Sequence, residues 1–93
     1  MPLIFEWDEQ KARDNLAKHG VNFEEATAVF GDPLSVTIAD LAHSADEERL
    51  IILGMSHRQR LLVVVHVERR EKIRIISARA ATRRERKDYE ERT

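Results

Sequence analysis

Ninety-three residues, 42% apolar and 35% charged, fit one globular domain with a modest core. The absence of cysteine excludes disulfides, thiolate metal sites and a cysteine nucleophile. The longest apolar run, Leu61–Val65, is far short of a membrane span, and no basic–apolar–small leader pattern opens the chain. A soluble, cytoplasmic single domain over residues 1–93 is the expectation. The formal net charge of −1 hides a segregation: nine of the sixteen Lys and Arg lie between Arg69 and Lys87, against two acids, Glu71 and Glu85. The first fifty residues carry four basic and eleven acidic side chains. A basic end of this kind suggests phosphate. The acidic half suits either a basic protein partner or two solvated helices.

The chain opens on a short strand at Leu3-Ile4-Phe5. Asp8 is placed to cap a first helix over Glu9–His19, which Lys18-His19 and a left-handed Gly20 terminate. Its thin apolar face predicts that it covers an edge of the core. Asn22 and Glu25 form a capping-box pattern for a second helix, with Val21 and Ala26 spaced for a hydrophobic staple. Phe23, Ala26, Thr27 and Phe30 make its stripe, and Gly31-Asp32-Pro33 stops it. From Leu34 the period becomes that of strands: Leu34–Ala39, then Glu48–Gly54 after a polar connection at Asp40–Asp46. Arg60–Val67 follows, and Lys72–Arg79 comes after a charged turn at Glu68–Glu71. Thr82 and Glu85 form a second capping box, opening a helix over Arg83–Glu91. That helix carries only Tyr89 as a large apolar residue, so it either docks loosely or is ordered by a partner. The fold class is α+β, a two-layer domain in the order β-α-α-β-β-β-β-α. Its helices are expected on one face of an antiparallel meander.

Alternation about a hairpin at Glu68–Glu71 pairs 66 with 73, 64 with 75, 62 with 77 and 60 with 79. That register sets Arg60 beside Arg79 on one face, an unfavourable pairing that an anion between them would relieve. Solvation, or pairing with Glu48, is the plain alternative. Glu48 either joins an ion pair with Arg60 or Arg49 or accepts a proton. Lys18 and His19 are explained by the helix dipole alone. The four histidines are spaced 24, 14 and 9 apart, which does not suit a metal site. Five aromatic residues give little support to an aromatic platform for single strands, and Trp7 reads as a lid over the core. Arg83, Arg84, Arg86 and Lys87 form a helix face that could follow a phosphate backbone, or simply be solvated.

The string FEWDEQKARDNLAKHGVNFEEATAVFGDP resembles the opening of BrnT-type toxins. ERLIILG…RLLVVVHV…IRIISARAA with a trailing YE resembles the rest, so the likeness runs from Phe5 to Glu90. The KHGV-x-F-EEA and IRIISAR strings are its most specific parts. The resemblance implies a RelE-like fold and a ribonuclease toxin of a type II toxin–antitoxin pair. It also implies neutralisation by a BrnA-like antitoxin with a DNA-binding domain, in a complex that represses its own operon. The family commonly has Gly-Arg before the LLVVV strand; Gln59-Arg60 stands here, keeping the arginine but not the tighter turn that glycine allows.

The mechanism that fits both the residues and the resemblance is RNA cleavage without a metal or other cofactor. The ribose 2′-hydroxyl attacks the adjacent phosphorus while arginine forks stabilise the added charge. The candidates are Arg60 and Arg79 as clamp and Glu48 as proton acceptor, with His66 or His19 behind it. Lys18, His19, Arg74, Arg83 and Tyr89 are the expected RNA contacts. The alternative is a non-enzymatic module that binds nucleic acid or a partner through its basic C-terminal surface. A third reading makes that surface a dock for an acidic antitoxin segment. A homodimer through the Leu34–Ala39 edge, or a toxin–antitoxin heterotetramer, is compatible with either.

Overall fold

The computed structural model describes residues 3–43 and 47–91; the end of the expected Asp40–Asp46 connection lies outside them. The elements run β1 (Ile4–Glu6), α1 (Glu9–His19), α2 (Phe23–Ala28), a 3₁₀ turn (Val29–Gly31) and β2 (Val36–Ala39). After a second 3₁₀ turn (Leu41–His43) come β3 (Leu50–Met55), β4 (Leu61–Arg69), β5 (Lys72–Ala80) and α3 (Arg83–Glu91). Among the described residues no helix is long and apolar enough to cross a membrane.

Local chemistry sets the helix ends. The Asp8 carboxylate accepts from the Lys11 N–H at 3.0 Å, and Gly20 closes α1 at φ +71° with its N–H on the Leu16 carbonyl. Thr82 and Glu85 form the full reciprocal box: the Glu85 N–H donates to the Thr82 hydroxyl, and the Thr82 N–H to the Glu85 carboxylate. At α2 only half the expected box exists. Asn22 accepts from the Glu25 N–H at 2.7 Å, but the Glu25 side chain turns away into the protein.

The sheet has the order β1-β5-β4-β3-β2. Strands β2 to β5 form the antiparallel meander, whereas β1 joins in parallel beside β5, pairing Phe5 with Ile73. This departs from a purely antiparallel sheet, and the pairing leaves Phe5 packed against the core, 5.1 Å from Phe30. Beneath α1 and α2, Val21, Phe23, Ala26 and Val29 pack on Ile52, Leu62, Val64, Ile73, Ile75 and Ala78. Gly54 lets the first 3₁₀ turn approach this face; a Cβ there would lie 3.1 Å from the Val29 carbonyl oxygen. Truncating a residue such as Phe23, 0% exposed, would cost about 3–5 kcal/mol.

The third helix corrects the expectation that all helices share one face. Residues Glu85, Asp88 and Tyr89 line a groove with Val36, Ile38, Ile51, Leu53 and Val63, which alternation turns away from α1 and α2. Nor is α3 loosely held. Tyr89 is 6% exposed and donates its hydroxyl to Asp32, whose carboxylate also accepts from the Leu34 and Met55 N–H groups. Burial opposes ionisation of Asp32, but these hydrogen bonds outweigh it and keep its pKa low. Burial and the Asp32 carboxylate push the Tyr89 phenol up to about 12.

A single side chain covers the edge of β5 where β1 ends. Asn15, 7% exposed on α1, donates to the carbonyls of Val21 (2.9 Å) and Ala78 (2.8 Å) and accepts from the Ala78 N–H (3.1 Å). Its amide therefore pairs with β5 much as another strand would. Asn15→Leu keeps the branched shape and leaves those backbone groups unpaired, so unfolding free energy should fall by about 3 kcal/mol in a urea titration. A midpoint unchanged from wild type would remove the clamp from the account.

Candidate active site

Three segments meet at one end of the sheet: the close of α1, the start of α2 and the Ser56–Arg60 hairpin between β3 and β4. The hairpin is tightly drawn, with the Ser56 N–H on the Arg60 carbonyl and the Gln59 N–H on the Ser56 carbonyl. Gln59 adopts φ +64°. The left-handed turn that glycine would favour is thus present after all, at a cost of roughly 1–2 kcal/mol for a side chain with a Cβ.

Arg60 leaves this hairpin towards α2. Its Nε donates to Glu25 Oε2 at 2.9 Å, and its Nη2 donates to Glu25 Oε1 and, at 3.2 Å, to the Gly20 carbonyl. The Ser56 hydroxyl donates to Glu25 Oε2 at 2.7 Å and accepts from the N–H groups of Arg58 and Arg60. The Arg60 guanidinium, helped by Ser56 and against the pull of burial, holds the Glu25 carboxyl down to about 2. Glu25 is 1% exposed while the Arg60 side chain is 38% exposed. The pair therefore has one buried and one open partner. Lys18 and His19, which precede Gly20 in the chain, are both exposed and line a shallow depression with Ile76 and Ser77 of β5.

The opposed arginines of the expected register do not form. Strands β4 and β5 continue through the charged residues to Arg69 and Lys72, leaving a turn of only Arg70-Glu71, and Ile76 is the extra residue of a β-bulge. Arg79 consequently faces Val63, with its side chain on the α3 side of the sheet, whereas Arg60 is on the α2 side. Both lie at the same end of the sheet. Arg79 forks end-on to Glu85 through Nη1 (2.8 Å) and Nη2 (3.0 Å), and that fork together with the capping N–H holds Glu85 down to about 2.

The remaining candidates are dispersed. Glu48 precedes Leu50, which pairs with His66, whereas Met55 at the other end of β3 pairs with Leu61. Glu48 is therefore about 20 Å of strand from Arg60 and cannot share a phosphate with it. His66 is 1% exposed in the core, 4.8 Å from Phe30, and burial pushes its pKa down; it is a packing residue. Arg74 sits across from Glu6 near the β4–β5 turn. Arg83 is exposed at the start of α3, and Tyr89 anchors that helix to Asp32 from a buried position. Sequence reasoning missed Glu25 as a partner of Arg60 because its capping-box spacing already explained it. Ser56, in a polar hairpin, carried no signal at all.

The model of the family described as the ribonuclease toxin BrnT of type II toxin–antitoxin systems matches residues 7–85. The chain belongs to the BrnT toxin family. A crystal structure of the Brucella abortus ribonuclease toxin BrnT, at 1.1 Å, superposes with a TM-score of 0.68. It covers 88% of this chain and 100% of its own at 24% identity, a likeness of fold. Comparison with curated protein sequences gives no significant match. The KHGV-x-F-EEA string of this chain thus contributes the Gly20 carbonyl and the Glu25 carboxylate that hold Arg60, with Lys18 and His19 just before them in the chain.

Both depressed carboxyls link stability to pH. Glu25 and Glu85 titrate near 2 when folded, against an ordinary 4.5, so the unfolded chain binds more protons in between. The stability they contribute is complete above the ordinary value and is lost as pH falls through the folded one. Melting temperature should therefore drop steeply between about pH 5 and 2. The slope should be shallower in Glu25→Gln, as thermal melts across a pH series would measure.

Proposed function

We propose that this BrnT-family chain is a metal-independent endoribonuclease whose phosphate ligand is Arg60. The observation that carries this reading is the guanidinium itself. Its Nε/Nη2 edge is fixed on Glu25 and Gly20, while among the described residues no protein acceptor meets Nη1. Two N–H groups on a partly open, permanently charged side chain suit a phosphate oxygen. Attack by the ribose 2′-oxygen forms a bond to phosphorus as the bond to the 5′-oxygen breaks, and charge builds on the non-bridging oxygens. Arg60 would stabilise that charge. His19, exposed and next to Gly20 in the chain, suits the proton transfer from which distance removes Glu48. Lys18 would hold a neighbouring phosphate.

Around the same end of the sheet, Arg79 and Arg83 would guide the RNA strand, with Arg74 at greater distance. Inhibition of translation and growth would follow from the cleavage. Membership of a toxin–antitoxin family implies an antitoxin, and we take it to be BrnA-like. The fold, with two helices ahead of a four-stranded meander, we take to be RelE-like. The open β2 edge, where Ile38 is 59% exposed, supports assembly as a dimer or a heterotetramer with antitoxin.

A binding-only reading gains one observation: both arginines are already forked to carboxylates, Arg60 to Glu25 and Arg79 to Glu85. Purified protein and a labelled RNA separate the two. Arg60→Ala should stay folded by circular dichroism and cleave at least about a hundredfold more slowly. Salt-sensitive binding by the wild type with no product over time would favour the binding module instead.

A further inference from the structure

Glu25 offers the only buried carboxylate that touches a proposed substrate ligand among the described residues. A buried ion pair is a weak source of stability, since desolvation offsets most of the attraction. This pair is also more elaborate than stability requires. Both Glu25 oxygens are engaged: Oε2 by Ser56 and Arg60 Nε, Oε1 by Arg60 Nη2. The Ser56 hydroxyl that orients the carboxylate is the same one that accepts the N–H groups of Arg58 and Arg60. One hydroxyl thus fixes both the backbone from which Arg60 departs and the carboxylate on which it lands. Held along its Nε/Nη2 edge, the guanidinium plane has a single orientation, and Nη1 points away from the carboxylate. The Arg79 fork differs: Glu85 is 31% exposed, uses Oε1 in a helix cap, and engages both terminal nitrogens.

We infer that Glu25, oriented by Ser56, is a positioning residue for cleavage, aiming Arg60 Nη1 at the scissile phosphate. It takes no part as acid or base. The inference rests on Arg60 being the phosphate ligand and deepens that reading. Such a residue should act on turnover only through Arg60, because a displacement of about 1 Å at a charged donor can cost up to a hundredfold.

The test is a double-mutant cycle on cleavage of a labelled RNA by purified protein, with folding checked by circular dichroism. Glu25→Gln should lower kcat by about tenfold or more with KM nearly unchanged. In an Arg60→Ala background the same change should lower kcat no further. Glu25→Asp, which keeps the charge, should recover part of the loss. A folded Glu25→Gln with wild-type kcat, beside an impaired Arg60→Ala, overturns the positioning role and leaves Arg60 in place. Losses that multiply in the double variant overturn it as well. Full activity in Arg60→Ala overturns both readings together. Should Glu25→Gln fail to fold, Ser56→Ala enters the same cycle: a kcat loss that vanishes without Arg60 supports the role, and an unchanged kcat overturns it.

Discussion

The amide of Asn15 holds this molecule's two halves in register. Beyond the short β1, the open edge of β5 would expose its backbone groups to a helix that cannot pair with them. One buried side chain resolves the conflict by pairing with both polar groups of Ala78 and with the Val21 carbonyl. That fixes α1 on β5 and, through Val21, fixes the turn into α2. The Gly20 carbonyl, one residue earlier, can then receive Arg60 from a hairpin forty residues on. The geometry of the candidate site is thus inherited from a contact that carries no charge.

Two arginine–glutamate forks do different work in the same small domain. Glu85 is about a third open and serves a helix cap, so its ion pair is screened and strengthens a local turn. Glu25 is sealed beneath Arg60, where low dielectric raises both the attraction and the desolvation cost. The first stitches α3 to β5; the second orders a charged donor that still has hydrogen-bonding capacity to spare. Opposite faces of one sheet end carry them, so the basic track read from the sequence bends around an edge and does not lie flat on a face.

Asp32 illustrates why the last helix is firmer than its composition suggests. A helix with one large apolar residue buries little area, yet Tyr89 reaches a carboxylate already fixed by the Leu34 and Met55 amides. A polar anchor of this kind needs a partner that is itself immobile, and Asp32 is made so by the turn that stops the first 3₁₀ segment. The third-helix face with Arg83, Arg84 and Lys87 remains free of such duties, and remains exposed.

The sequence by itself determined whatever depends on neighbours within a turn or two. Asp8, Gly20, Asn22 and the Thr82–Glu85 box announce the helix ends because capping is a contact between residues three or four apart. The strand segments and the family-bearing strings were equally legible, the latter because they are contiguous. Tertiary structure alone decided the strand register, since a bulge at Ile76 and a two-residue turn move Arg79 to the other face without altering any local pattern. It alone separated Glu48 from Arg60 by the length of a strand and sent Glu25 inward, leaving the Asn22 box half made. Each of these outcomes is set by which surfaces meet across the fold, and burial then fixes partners that no spacing along the chain encodes.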